Sequence, residues 1–87
     1  MEIKRKASAG TMQSSDLMVQ VAPAEALEIE VESTVKKQYE HLIRARVREV
    51  LDRMGVKSGS VRVTDRGALD YAIEARVETA LRRAEEG

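Results

Sequence analysis

The stretch Leu27-Glu28-Ile29-Glu30-Val31-Glu32-Ser33-Thr34, with the residues that follow it, sets the expected fold. Leucine, isoleucine and valine alternate strictly with glutamate, so one side of this segment is apolar and the other is anionic. A period of two residues predicts a strand with one face against a core and the other against water or a partner. The hydroxyls of Ser33 and Thr34 then suit the start of a helix, because they can accept bonds from unpaired N–H groups of its first turn.

Residues 35–54 have the periodicity of a helix. Apolar side chains recur there at spacings of three, four and one, at Val35, Tyr39, Leu42, Ile43, Val47, Val50, Leu51 and Met54. Such spacing places them along one face of a helix of about five turns. Gly55 follows the last of them and predicts the end of the helix.

Apolar alternation also predicts strands near 3–9, 16–22, 26–32 and 59–65. The last part of the chain fits both a strand and a helix, and we predict a strand at 70–77 followed by a short helix at 78–85. The predicted fold is therefore α+β: a mainly antiparallel β-sheet packed against one long helix, with a short C-terminal helix.

Length and composition narrow the possible functions. The 87 residues contain no Cys, Trp or Phe and a single His, so they predict one domain, 1–87, with an aliphatic core. The absence of Cys excludes disulfides, Cys-containing zinc sites and a built-in thiol nucleophile. No segment approaches the roughly 18 apolar residues of a membrane helix, so we expect a cytoplasmic protein without a membrane partner.

Charge is unevenly distributed although the net charge is zero. Four Glu and no cation lie in 23–33, whereas 34–57 contains seven Lys and Arg. These regions can form charged faces for partner subunits or can simply be solvated surface. The overall balance argues against nucleic acid as a partner.

The sequence gives little support to catalysis by the chain itself. His41 lies beside the apolar stripe of the predicted helix, and nothing places it with a serine and a carboxylate. Neither a phosphate-binding glycine loop nor a metal-ligand cluster is present in the sequence. What remains is Ser14 and Ser15, adjacent hydroxyls in a predicted loop at 10–16, where such residues most often bond to the local backbone.

A resemblance gives these serines a further meaning. The segments Ala9-Gly10-Thr11-Met12-Gln13-Ser14-Ser15-Asp16-Leu17-Met18-Val19, Ala22-Pro23, 35–39, Asp65-Arg66-Gly67-Ala68-Leu69-Asp70 and Ala75-Arg76 resemble the acyl carrier (gamma) subunits of citrate lyase. The likeness covers essentially the whole chain. It implies a non-catalytic carrier with a covalently linked phosphoribosyl-dephospho-CoA arm, whose thiol holds acetyl and citryl thioesters while citrate is cleaved to acetate and oxaloacetate.

The resemblance also implies partners and an attachment residue. The partners are the citrate lyase alpha (acyltransferase) and beta (citryl lyase) subunits and a prosthetic-group transferase. The attachment serine of the family lies two residues before an aspartate, which is Ser14 here. Ser15 is the alternative, because it supplies a second hydroxyl at a position where the family commonly has glycine. Asp16 either orders the loop or is read by the transferase, and we favour the first role.

Two alternatives remain open from the sequence. One is the related carrier subunit of malonate decarboxylase, which uses the same kind of arm. The other is an interaction module without a cofactor, which would use the anionic strand face or the cationic helix.

Overall fold

A computed structural model describes residues 1–86 and shows a four-stranded sheet with two helices. The strands are β1 (Ala7–Gly10), β2 (Leu17–Ala22), β3 (Leu27–Ser33) and β4 (Gly59–Asp65). A 3₁₀ turn (Lys37–Tyr39) leads into helix α1 (Glu40–Arg53), and helix α2 (Asp70–Glu85) follows β4. The strand order is β1-β2-β4-β3. The predicted α+β class is confirmed.

The sheet is mainly antiparallel, as predicted, but it contains one parallel pair. Strand β2 pairs antiparallel with both β1 and β4, whereas β3 pairs parallel with β4. The parallel pair follows from the intervening helix, because α1 carries the chain back to the starting end of β3 before β4 begins.

The predicted strand at 70–77 is wrong, and the helix predicted at 78–85 is confirmed but begins eight residues earlier, because both ranges lie in the continuous 16-residue helix α2. Ile73, Val77 and Leu81 are buried at a spacing of four residues, which is the helical stripe. Leu69 and Tyr71, which completed the alternation, are 63% and 69% exposed. The apparent period of two therefore arose from apolar residues that the fold leaves in solvent.

Two predicted boundaries also move. Strand β1 begins at Ala7 and not at residue 3, because the Lys4 N–H donates to the Ala84 carbonyl of α2 (3.0 Å) and not to a strand. The long helix begins after residue 35: the Ser33 hydroxyl accepts the Lys36 N–H (3.0 Å), just before the 3₁₀ turn. The helix end at Gly55 is confirmed by its φ of 71°.

Both helices pack on one face of the sheet. The core between these layers is aliphatic and includes Leu17, Val19, Val21, Val47, Leu51, Val61, Val63, Val77 and Leu81. Glu28, Glu30 and Glu32 project from the opposite face and are exposed, as the alternation predicted. No helix within residues 1–86 is long and apolar enough to cross a membrane.

One end of the sheet brings three connecting segments together. Leu17 at the start of β2 and Ser33 at the end of β3 both pair with Asp65 at the end of β4. The loop 11–16, the segment after β3 and the segment after β4 therefore meet at this end. The two serines singled out from the sequence lie in the first of these loops.

Candidate functional site

The loop 11–16 is a short connection between β1 and β2 with a defined backbone. The Thr11 N–H donates to the Leu17 carbonyl (3.1 Å), and the Asp16 N–H donates to the Gln13 carbonyl (3.2 Å). The second bond closes a four-residue turn in which Ser14 and Ser15 are the two central residues. Both are exposed.

Ser15 has a backbone conformation that is unusual for its residue type. Its φ is +65°, and it is the only residue other than glycine with a positive φ in the part of the chain that the structure describes. A positive φ at the third position of a turn is the geometry of a type II turn, which prefers glycine there. Ser15 therefore occupies a position where glycine would be unstrained.

Asp16 fixes the base of the loop. Its Oδ2 accepts the Thr11 hydroxyl (2.6 Å), and its Oδ1 accepts the Leu17 N–H (2.8 Å). Arg76 of α2 donates from Nε to Oδ1 (3.1 Å) and from Nη2 to Oδ2 (3.0 Å). The predicted structural role of Asp16 is confirmed, and Arg76 extends it by tying the loop to the helix layer.

The same contacts keep Asp16 charged. The hydrogen bond from Thr11, with those from the Leu17 N–H and Arg76, lowers the pKa of this carboxyl below its ordinary value, although partial burial acts in the opposite direction. A carboxylate that remains ionised at neutral pH retains the two-pronged bond to the Arg76 guanidinium.

Arg66 contacts the loop with both its main chain and its side chain. Its carbonyl accepts the Ser15 N–H (2.8 Å) and its N–H donates to the Asp16 carbonyl (2.8 Å), which extends the pairing of β2 with β4. Its Nη1 donates to the Met12 carbonyl (3.0 Å). Its Nε is buried and has no acceptor among residues 1–86.

The buried side chain of Asp65 fixes the segment that follows β4. Its buried carboxylate accepts the Ser33 hydroxyl (3.0 Å) and the N–H groups of Gly67 (3.1 Å) and Ala68 (2.9 Å). This arrangement holds the segment between β4 and α2 against the turn that presents Ser14. The serine loop therefore rests on a fixed base and exposes only its outer residues.

The structure places the predicted residues as follows. Ser14 and Ser15 lie together at the tip of the turn, and within residues 1–86 neither hydroxyl has a hydrogen bond to a histidine or a carboxylate. His41 is exposed on α1, and the described residues contain no cluster of His, Asp and Glu able to hold a metal. Both hydroxyls are thus open to solvent, and residues 1–86 place no general base beside them.

The sequence did not assign roles to four residues that support the loop: Thr11, Asp65, Arg66 and Arg76. All four belong to segments that carried the resemblance, so the sequence contained a signal for them. It gave no indication that segment 9–19 meets the segments 65–70 and 75–76, more than forty residues later in the chain, at one end of the sheet.

We expect Ser15→Gly to stabilise the unmodified protein by about 0.5–1 kcal/mol, because glycine removes the cost of a side chain at positive φ. Urea unfolding followed by circular dichroism measures this change. Ser14→Gly is the matched control: Ser14 lacks a positive φ, so added freedom in the unfolded chain should cost about 0.4–1 kcal/mol. A loss of stability in both variants would show that the turn is not held in this conformation.

Comparisons with known proteins show which proteins this chain is similar to. The family described as "ACP: Malonate decarboxylase delta subunit (MdcD)" matches residues 4–84. The chain is 51% identical to the citrate lyase acyl carrier protein of Halothermothrix orenii, over all of this chain and 94% of that protein. It is 49% identical to the protein of the same name from Treponema denticola, over 99% of each chain.

Solved structures share the fold at low sequence identity. A chain in the crystal structure of a Pseudomonas malonate decarboxylase hetero-tetramer in complex with malonate aligns with a TM-score of 0.72 and 20% identity, over 94% of this chain and 86% of that one. A crystal structure of a Thermus thermophilus protein aligns with a TM-score of 0.69 and 15% identity, over 95% of this chain and 16% of that chain. These two likenesses concern the fold alone.

Proposed function

Because this chain belongs to the citrate lyase acyl carrier protein family and is a non-catalytic carrier, we propose that it is the acyl carrier subunit of a citrate lyase complex, modified at Ser14. One observation carries the proposal: an exposed serine hydroxyl stands at the tip of a turn whose base is fixed by Asp16, Arg66 and Arg76. A transferase can reach this hydroxyl, while the base of the loop that bears it stays in place.

The proposed cofactor is phosphoribosyl-dephospho-CoA, joined to serine by a phosphodiester. The residues around the loop fit such a link, because the hydroxyl is exposed and the buried Nε of Arg66 finds no acceptor within residues 1–86. When bound, this group supplies a thiol that carries acyl groups as thioesters, which a chain without cysteine lacks.

The backbone supports Ser14 over Ser15 as the attachment residue. The Ser15 N–H is held by the Arg66 carbonyl, and its positive φ marks a position suited to glycine. Ser14 precedes it in the turn and has no such restraint. We therefore assign the Ser15 hydroxyl no role in the attachment.

The protein positions the root of the arm and lets its acyl group reach both partner subunits. The ion pair between Asp16 and Arg76 ties the loop to α2, so that motion of the arm is separated from motion of the domain 1–87. A tethered acyl group meets the alpha and beta subunits at a high effective concentration and does not have to diffuse between them. The cytoplasm remains the predicted location of the complex.

Intact-mass measurement tests the attachment. Wild-type protein co-expressed with the modifying enzymes should carry a covalent adduct on most molecules, and Ser14→Ala should carry none, because it lacks the acceptor oxygen. Ser15→Ala, the matched control, should be modified as fully as the wild type. An unmodified wild-type chain under these conditions would favour a cofactor-free interaction module.

The carrier subunit of malonate decarboxylase is the second candidate. The description of the matching family favours it, whereas the citrate lyase carriers share about half of their residues with this chain. Reconstitution with either set of partner subunits separates the two. Citrate cleavage without malonate decarboxylation is the expected result, and the reverse would establish the second candidate.

A further inference from the structure

The side chain of Arg66 is incompletely paired. Its Nη1 donates to the Met12 carbonyl, but its Nε is the one buried side-chain polar atom without a hydrogen-bond partner within residues 1–86. A buried donor without an acceptor reduces stability, so such an atom in a folded protein calls for an explanation. This donor belongs to a guanidinium whose Nη1 already bonds the serine loop at Met12, which suggests that its acceptor arrives with the modification.

Arg76 shows what the unpaired edge of Arg66 can do. Arg76 uses its Nε and Nη2 together to bind both oxygens of Asp16. The same Nε–Nη2 edge of Arg66 binds no carboxylate in the part of the chain that the structure describes. Two parallel donors on a planar cation match two oxygens of a phosphate as well as they match those of a carboxylate.

The contacts of Arg66 lie on both sides of Ser14. Its side chain bonds the Met12 carbonyl, two residues before Ser14, and its main-chain carbonyl bonds the Ser15 N–H, one residue after. The guanidinium is therefore held alongside the turn that presents the Ser14 hydroxyl. A phosphate on that hydroxyl would stand beside a cation that has no anionic partner among the residues described.

We propose that Arg66 binds the phosphodiester at Ser14 through its Nε–Nη2 edge and so holds the root of the prosthetic group. This inference rests on the proposed function, because it requires a phosphodiester at this serine. The exposed outer residues of the turn, Met12 to Ser15, must shift enough to admit the phosphate to the covered Nε. The root of the arm is then fixed, and its remaining length is free to move between partner subunits.

Nitrogen-15 NMR of arginine side chains tests the contact directly. In protein confirmed by intact mass to carry the adduct, the Nε–H proton of Arg66 should move downfield relative to the unmodified protein, because it gains a charged acceptor. The Nε–H of Arg76 is the internal control and should change little, since Asp16 already occupies it. An unchanged Arg66 signal in fully modified protein would overturn the proposal and leave the proposed function standing.

Thermal stability gives a second measurement. Modification should raise the melting temperature of the wild type by at least about 4 °C, because a buried donor gains its partner. Arg66→Gln should reduce this gain to less than half. Arg62→Gln, which removes an exposed cation that pairs with Glu30 on the open sheet face, should keep the full gain.

The outcomes separate the two proposals. An equal gain in melting temperature in wild type and Arg66→Gln, with the adduct present in both, would contradict the proposed role of Arg66. It would leave the proposed function standing. Absence of any adduct on the wild type would contradict the proposed function. If Arg66→Gln folds but is not modified, its melting temperature does not test the contact. The NMR comparison of modified with unmodified wild type then decides whether Arg66 binds the phosphodiester.

Discussion

A citrate lyase complex reconstituted with Ser14→Ala is expected to cleave citrate no faster than a complex that lacks this subunit. The variant removes a single oxygen, yet it removes the proposed link to the only thiol that the carrier would have, because the chain contains no cysteine. Without a tether, the acyl group has no means of visiting two partner sites at high effective concentration. The initial rate of oxaloacetate formation measures the effect.

Ser15→Ala is the matched control for this experiment. It deletes the neighbouring hydroxyl and keeps a Cβ at the same positive φ, so that the turn is altered as little as possible. This variant should retain most of the wild-type rate. Equal loss of activity in the two variants would mean that the turn, and not the Ser14 oxygen, accounts for the effect, and loss in Ser15→Ala alone would move the attachment to Ser15.

Local sequence patterns predict some elements of the fold and fail for others, and the reasons are physical. The segment 27–33 alternates apolar and charged residues without exception up to its final serine, and its strand was predicted to within a residue. The segment 69–77 satisfied both periods, and only the surface exposure of Leu69 and Tyr71 shows that the helical one is correct. Pairing direction was equally beyond local patterns, because it depends on where α1 returns the chain.

In the candidate site, too, some features follow from the local sequence and others depend on the assembled fold. Exposure of Ser14 and a loop-ordering role for Asp16 follow from local chemistry, since hydroxyl and carboxylate side chains bond nearby backbone in turns. The contacts from Arg66 and Arg76 join residues 54 and 60 positions apart in the chain. Both arginines lie in segments that carried the resemblance, but the sequence assigned them no role, and only the assembled sheet shows that both meet the serine loop.

Gly10→Ala is expected to destabilise the protein by at least about 3 kcal/mol, which is a large part of the stability of a small domain. Gly10 ends β1 with a φ of +96°, and a Cβ added there would lie 1.9 Å from the Leu17 carbonyl oxygen. That oxygen already accepts the Thr11 N–H, so it cannot move aside without opening the serine loop. Backbone strain and a hard contact with backbone therefore add at one position.

Gly55→Ala isolates the first of these costs, the backbone strain. Gly55 also has a positive φ (+71°), but within 4 Å and among residues 1–86 a Cβ there would meet only the Met1 nitrogen, at 3.6 Å. This variant should lose about 1 kcal/mol from strain alone, or roughly 4–8 °C in melting temperature for a domain of this size. Thermal and urea unfolding should show Gly10→Ala losing at least twice as much. Equal losses would mean that β1 and β2 separate easily at this end, and the fixed base inferred for the serine loop would then be wrong.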